Sequence, residues 1–125
     1  MRFDMLGLIA NDMEATARFY RLLGWDFPST EGEPYVEVTL DNGLRISINS
    51  VEMMKSIDPE WVEPAGQRMG VAFLMDSPAA VDAKYSELTN PGYKGHKEPW
   101  HAFWGQRYAQ VMDPDGNAVD LFAPL

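Results

Sequence analysis

The sequence predicts an α+β fold: two βαβββ modules forming a cupped mixed sheet around a pocket. Three observations carry this. Strand-like and helix-like stretches follow one another in the same order twice. Each helix opens on a residue that can cap it. At one constant offset, Met5 falls on Gly70, Leu8 on Phe73, Asp12 on Ser77, Tyr20 on Tyr85 and Leu23 on Leu88. Pattern carries this internal repeat more than identity does. A lone module of this kind leaves one sheet face open, and pairing two closes that face into a cleft. The 125 residues are expected to form one domain, with module one at about 1–50, a connector at 51–68 and module two at about 69–125.

The elements follow in order. "FDMLGLIA" is a short apolar strand that runs into Asp12, a residue able to cap the amides of a helix. Glu14 suits the positive end of that helix. Ala15, Phe19, Leu22 and Leu23 fall on one helical face, and Gly24 marks the stop. "PYVEVTL" and "LRISINS" alternate as half-buried strands about the turn Asp41-Asn42-Gly43. The connector holds Pro59, Pro64 and Gly66 and is expected to carry one helical turn. "MGVAFLM" restarts the order. Ser77 caps a second helix with Pro78 at its first position, and Val81, Tyr85 and Leu88 form its apolar stripe. "YKGHKEP" is a weaker strand. "QRYAQVM" and "NAVDLFA" form a hairpin about Asp113-Pro114-Asp115-Gly116.

Composition narrows the function. Hydrophobic residues make up 46% of the chain, enough for a packed core and against wholesale disorder. The net charge of −9 repels a phosphate backbone and an anionic membrane, so no nucleic-acid and no membrane partner is expected. It favours a cationic ligand at long range, and solubility accounts for it equally well. No cysteine is present, which removes disulfides, thiol nucleophiles and thiolate metal sites. No segment reaches membrane-spanning length and none has the apolar centre of a secretory leader, so a cytoplasmic protein is expected. The eight methionines are read as adaptable core filler.

Catalytic motifs are sparse. No serine sits in a nucleophile elbow and no glycine-rich phosphate loop occurs. "DPDGN" resembles part of a calcium loop but lacks its remaining spacing and terminal Glu, so it is read as a turn. The two histidines, His96 and His101, share neither a helical nor a strand face by spacing. With Gly95 and Pro99 beside them they are expected in a loop or strand end, in structural or solvent-exposed roles.

Two stretches, "LIANDMEATARFYRLLGW" and "WGQRYAQVMDPDGNAVDLF", together resemble the vicinal oxygen chelate superfamily, which includes glyoxalase I, extradiol dioxygenases and bleomycin-resistance proteins. The resemblance runs over nearly the whole chain. It implies paired βαβββ modules about a pocket and, commonly, a homodimer, with modules of two chains able to complete each pocket. It also implies a divalent ion in the enzymatic members, held by His, Gln or Glu on the first and last strand of each module. Here those positions carry Met5, then Arg45 or Ser47, then Gly70 and Asp120. Methionine is a poor ligand for such an ion, glycine has no side chain and arginine repels a cation. Only Asp120 can ligate, so no metal and no other cofactor is expected.

The resemblance then points to the metal-free, bleomycin-resistance type, which sequesters antibiotics against aromatic rings. The matching residues are the dense aromatic cluster of "EPWHAFWG". Trp100 and Trp104 are ligand candidates, with His101 between them and Phe103 nearby. Plugging the core edge or lining a dimer interface are the competing roles. Tyr35, Ser47 and Asn49 can supply hydrogen bonds, Asp120 can attract a cation, and Phe122 follows it on the last strand. The expected function is metal-independent binding of a flat aromatic ligand, cationic by the charge argument, with an antibiotic as one example. The alternatives are a glyoxalase-like enzyme, using a non-standard metal site or acid–base chemistry at Asp120, and an interaction module with a vestigial cleft.

Overall fold

The computed structural model describes all 125 residues. They form two compact units, Met1–Glu63 and Pro64–Leu125, and the boundary falls inside the expected connector. No helix is long and apolar enough to cross a membrane.

The first unit runs β1 (Met5–Ala10), α1 (Met13–Arg21), β2 (Tyr35–Thr39), β3 (Arg45–Ser50) and α2 (Val51–Ile57). Its sheet has the order β1-β3-β2, with β1 parallel and β2 antiparallel to β3. The side chain of Asp12 caps α1, accepting from the amide of Ala15 at 3.0 Å. Thr16, Ala17, Phe19 and Tyr20 are the buried face of α1, which packs on β3. Ile46 and Ile48 are the matching buried side chains of the strand. This differs from the expected stripe, because the helix ends at Arg21 and leaves Leu22 as its C-cap. Gly24, at φ +91°, then reverses the chain.

This unit has three strands, not the expected four. Residues 22–34 between α1 and β2 join no ladder of their own and are held by local backbone turns together with a few side-chain bonds. Arg21 donates to the carbonyl of Phe27 at 3.0 Å and to that of Pro28 at 2.8 Å. Trp25 and Phe27 are buried, and the Trp25 ring stacks on Tyr20 at 5.0 Å. The connector also holds more helix than expected. Ser50 caps α2 by accepting from the amide of Met53 at 3.1 Å, and α2 runs seven residues.

The second unit runs β4 (Val71–Leu74), α3 (Pro78–Thr89), β5 (Gly95–Ala102), β6 (Gln106–Met112) and β7 (Ala118–Pro124), in the sheet order β4-β7-β6-β5. Ser77 caps α3, accepting from the amide of Ala80 at 3.1 Å. Val81 and Leu88 of α3 are fully buried with Ala109, Val111, Val119, Leu121 and Ala123 of the sheet. In the β6–β7 turn, Asp113 accepts from the amides of Asp115 and Asn117 at 2.9 and 2.8 Å and from the Asn117 side chain at 2.9 Å. Both its oxygens are spent on the turn, as the sequence predicts.

Strand β5 extends beyond the expected segment through residues 100–102, so Trp100 lies in the strand and His101 at its end. Its pairing with β6 slips twice. Gly95 and Lys97 face Val111 and Gln110, and Lys97 and Trp100 face Gln110 and Tyr108. Each slip inserts one extra residue in β5, the signature of a bulge.

Candidate functional site

In each sheet the side chains alternate between a helix-covered face and an open face. On the second unit the open face is set by register. Tyr108 of β6 stands opposite Phe122 of β7, Gln110 opposite Asp120, and Trp100 of β5 opposite Tyr108. Trp104, in the β5–β6 turn, joins them. Its ring meets Trp100 at 5.5 Å, Tyr108 at 5.2 Å and Phe103 at 4.9 Å, all edge-to-face. Tyr108 and Phe122 are 6.4 Å apart. The structure thus brings Trp100, Trp104, Asp120 and Phe122 together. It does not bring His101 with them. His101 pairs with Arg107, whose guanidinium binds Asp82 of α3 at 2.8 Å on the opposite face. Asp120 and His101 therefore share no ligand set.

Asp120 is held closely. One oxygen accepts from the Tyr108 hydroxyl and the other from Gln110 at 2.8 Å. Burial, then the hydrogen bond to Asp120, push the Tyr108 phenol up to about 12. It stays a protonated donor at neutral pH. One buried polar atom on this face has no hydrogen-bond partner: the indole nitrogen of Trp100, which is shut from solvent.

The open face of the first unit carries Tyr35, Ser47 and Asn49, as the alternation predicts. Its polar groups satisfy one another. Asn49 donates to the Ser47 hydroxyl and to the carbonyl of Leu8, each at 3.1 Å. Ser47 is fully buried. Gly7, its partner across β1, leaves it room: a Cβ there would lie 3.3 Å from the Ser47 oxygen. Tyr35 donates toward Glu37 at 3.1 Å and toward the Met5 sulfur at 3.5 Å.

The register of β3 sets Arg45 opposite Met5 and Ser47 opposite Gly7. Arg45 grips Glu37 with two bonds of 2.6 and 2.7 Å and reaches Asp4 at 3.0 Å. These bonds hold the Glu37 carboxyl down at about 2. Of the two β3 residues where the resemblance implies a metal ligand, Arg45 is itself a cation and Ser47 is buried against Asn49. In the second unit Gly70 precedes β4, and Asp120 has both oxygens engaged. No group of three or more His, Asp or Glu side chains has the arrangement to hold an ion. The residues do not fit a divalent metal.

Sequence reasoning missed Tyr108, Gln110, Glu37 and Lys97. The alternation of "QRYAQVM" against buried Ala109 and Val111 carries the signal for the first two. That of "YVEVT" against buried Val36 carries it for Glu37. Lys97 has no such signal, because only the bulge turns it to the Trp100 side.

A family model for the glyoxalase/bleomycin resistance protein/dioxygenase superfamily matches residues 2–121. No protein of curated function matches the chain. Among solved structures, a glyoxalase/bleomycin resistance protein/dioxygenase family enzyme from Burkholderia phytofirmans PsJN superposes with a TM-score of 0.84 at 19% identity, covering 100% of both chains. A glyoxalase-related enzyme from Fulvimarina pelagi gives 0.82 at 20% identity, over 98% of this chain and 87% of the other. A glyoxalase/bleomycin resistance protein/dioxygenase from Nocardioides gives 0.78 at 24% identity, over 100% and 84%. With a match across almost its entire length, the chain belongs to the glyoxalase/bleomycin resistance protein/dioxygenase superfamily.

Proposed function

We propose that this protein binds a flat aromatic small molecule without a metal ion, an antibiotic being one such ligand, and works by sequestration. The observation that supports it is the aromatic face of the second unit. Trp100, Trp104, Tyr108 and Phe122 form a contiguous set of rings ending in a polar corner of Gln110 and Asp120. Trp104 is 46% exposed, so a ring face is open to a guest. The residues at the family's ligand positions supply no ion for isomerase or dioxygenase chemistry.

Tryptophan fluorescence titrated with a panel of flat aromatic compounds tests the reading, with and without added zinc or chelator. The expected result is saturable quenching that ignores both additions. Trp104→Ala is expected to weaken binding about three- to tenfold, the worth of one aromatic contact. Binding only with metal, or turnover of the added compound, would replace this reading with the enzymatic one. A homodimer belongs to the same proposal. Phe103, 92% exposed, lies beside Trp104, and Leu125, 60% exposed, bonds to Gly105 of the same turn. A second copy would cover this apolar patch, and sedimentation velocity showing only monomer at high concentration would remove it.

A further inference from the structure

The total charge of −9 favours a cationic guest at long range, but the free charge and the buried unpaired group on the aromatic face are both donors. Asp120, the one carboxylate among the rings, already receives a hydrogen bond on each oxygen. Tyr108 spends its proton on Asp120, and the Trp104 indole spends its own on Gln106 at 2.8 Å. Two donors remain. One is the Trp100 indole N–H, buried and without an acceptor. The other is the ammonium of Lys97, 4.9 Å from the centre of the Trp100 ring.

Lys97 is there because of the bulge. In a regular strand, residues three apart point to opposite faces. The extra residue between Lys97 and Trp100 lets them pair with Gln110 and Tyr108, two positions apart on β6 and on one face. Bulges that re-aim a side chain recur beside binding sites. Lys97 is exposed and forms no ion pair with a carboxylate.

We infer that the guest of this face is an aromatic carboxylate, its ring against Trp104, Tyr108 and Phe122 and its anionic end toward Lys97 and the Trp100 N–H. The inference rests on the binding function proposed above and supplies the missing acceptor: a carboxylate has lone pairs for both donors, and charge-assisted hydrogen bonds are the strong ones. An ammonium guest would meet Lys97 as a like charge and leave the indole unpaired. The indole nitrogen is covered, so binding turns the Trp100 ring, and the fluorescence should report it.

The test uses three probes of one shape, naphthoate, naphthamide and naphthylmethylammonium, titrated calorimetrically at low salt. Naphthoate is expected to bind about tenfold tighter than naphthamide, with the ammonium weakest. Lys97→Gln should erase most of that preference, lowering naphthoate affinity far more than naphthamide affinity. Trp100→Phe keeps a ring and loses the donor, and should cut the preference about threefold. Lys97 is on the surface, so a loss in its variant cannot be assigned to misfolding, and circular dichroism checks the Trp100 variant. Equal affinities, tighter binding of the cation, or a preference that survives Lys97→Gln would each overturn the inference while the aromatic-binding reading stands. No binding of any probe would overturn both.

Discussion

Arg45 shows how much one residue changes the chemistry available to a fold. A guanidinium offers donors and a permanent positive charge, so Arg45 makes this end of β3 a partly exposed ion-pair cluster with Glu37 and Asp4. The consequence is measurable in acid. Glu37 has an ordinary value of 4.5 and is held at about 2 by Arg45. A carboxyl whose folded value is depressed stabilises the fold above its unfolded value, and that stability is lost as pH falls through the folded one. Urea midpoints should therefore decline between about pH 4.5 and 2, and Glu37→Gln should flatten part of the decline. An unchanged acid profile in the variant would show that the pair adds nothing. Tyr108 works at the other end of the scale. Its phenol is raised from 10 to about 12, so its stabilisation is complete below pH 10 and is lost as pH rises through 12. The Tyr108 phenol should titrate late by phenolate absorbance, and Asp120→Asn should bring it earlier by removing the negative charge that favours the protonated form.

At the scale of elements, local signals held wherever a side chain settles its own backbone. Asp12 and Ser77 cap the two long helices at matching positions, because a short oxygen-bearing side chain finds the free amides without tertiary help. The turn at Asp113 is of the same kind. Strand β5 was less legible. Gly95, Pro99 and the lack of clean alternation in "YKGHKEPWHA" leave only a weak strand legible, yet pairing with β6 carries it, with two bulges, through Ala102. Gly95 has a packing reason. A Cβ there would collide with the Tyr85 hydroxyl and lie 3.3 Å from the Thr89 methyl. Gly95→Ala should destabilise the protein by about 1–3 kcal/mol through overpacking, read as a lowered urea midpoint at constant slope. A neutral result would mean that α3 moves away freely.

For the whole molecule, the repeat was visible as pattern and returned as two compact units, each with its own sheet and long helix. Their difference was not visible. In the first unit no fourth strand forms, and Arg21 takes the carbonyls of Phe27 and Pro28 where a ladder would compete for them. That competition depends on a helix side chain reaching a segment that follows it in the chain. The family, in contrast, was readable from the linear order of its motifs, and the match over residues 2–121 bears it out. The poor fit of the family's ligand positions to an ion has a consequence for stability. Overnight chelator should leave the melting temperature unchanged, and added zinc or nickel should not raise it, since a ligand stabilises only a fold that binds it. A metal-dependent rise would show a ligand set that these residues do not form.

What the sequence by itself determined was local or additive: caps, turns, strand alternation, the absence of thiols, and residue types unfit for a metal at the family's ligand positions. These depend on side-chain chemistry and spacing along a few residues. Tertiary structure alone decided which groups remain unspent. Ser47 and Asn49 look like ligand donors in the sequence and are consumed by each other and by Leu8. Asp120 looks like a charge for a cation and is occupied by Tyr108 and Gln110. Lys97 looks like a surface residue and is turned toward Trp100 by an extra residue in its strand. A hydrogen-bonding group is free or spent according to neighbours that only pairing and register bring to it, and neither is written in any one stretch of the chain.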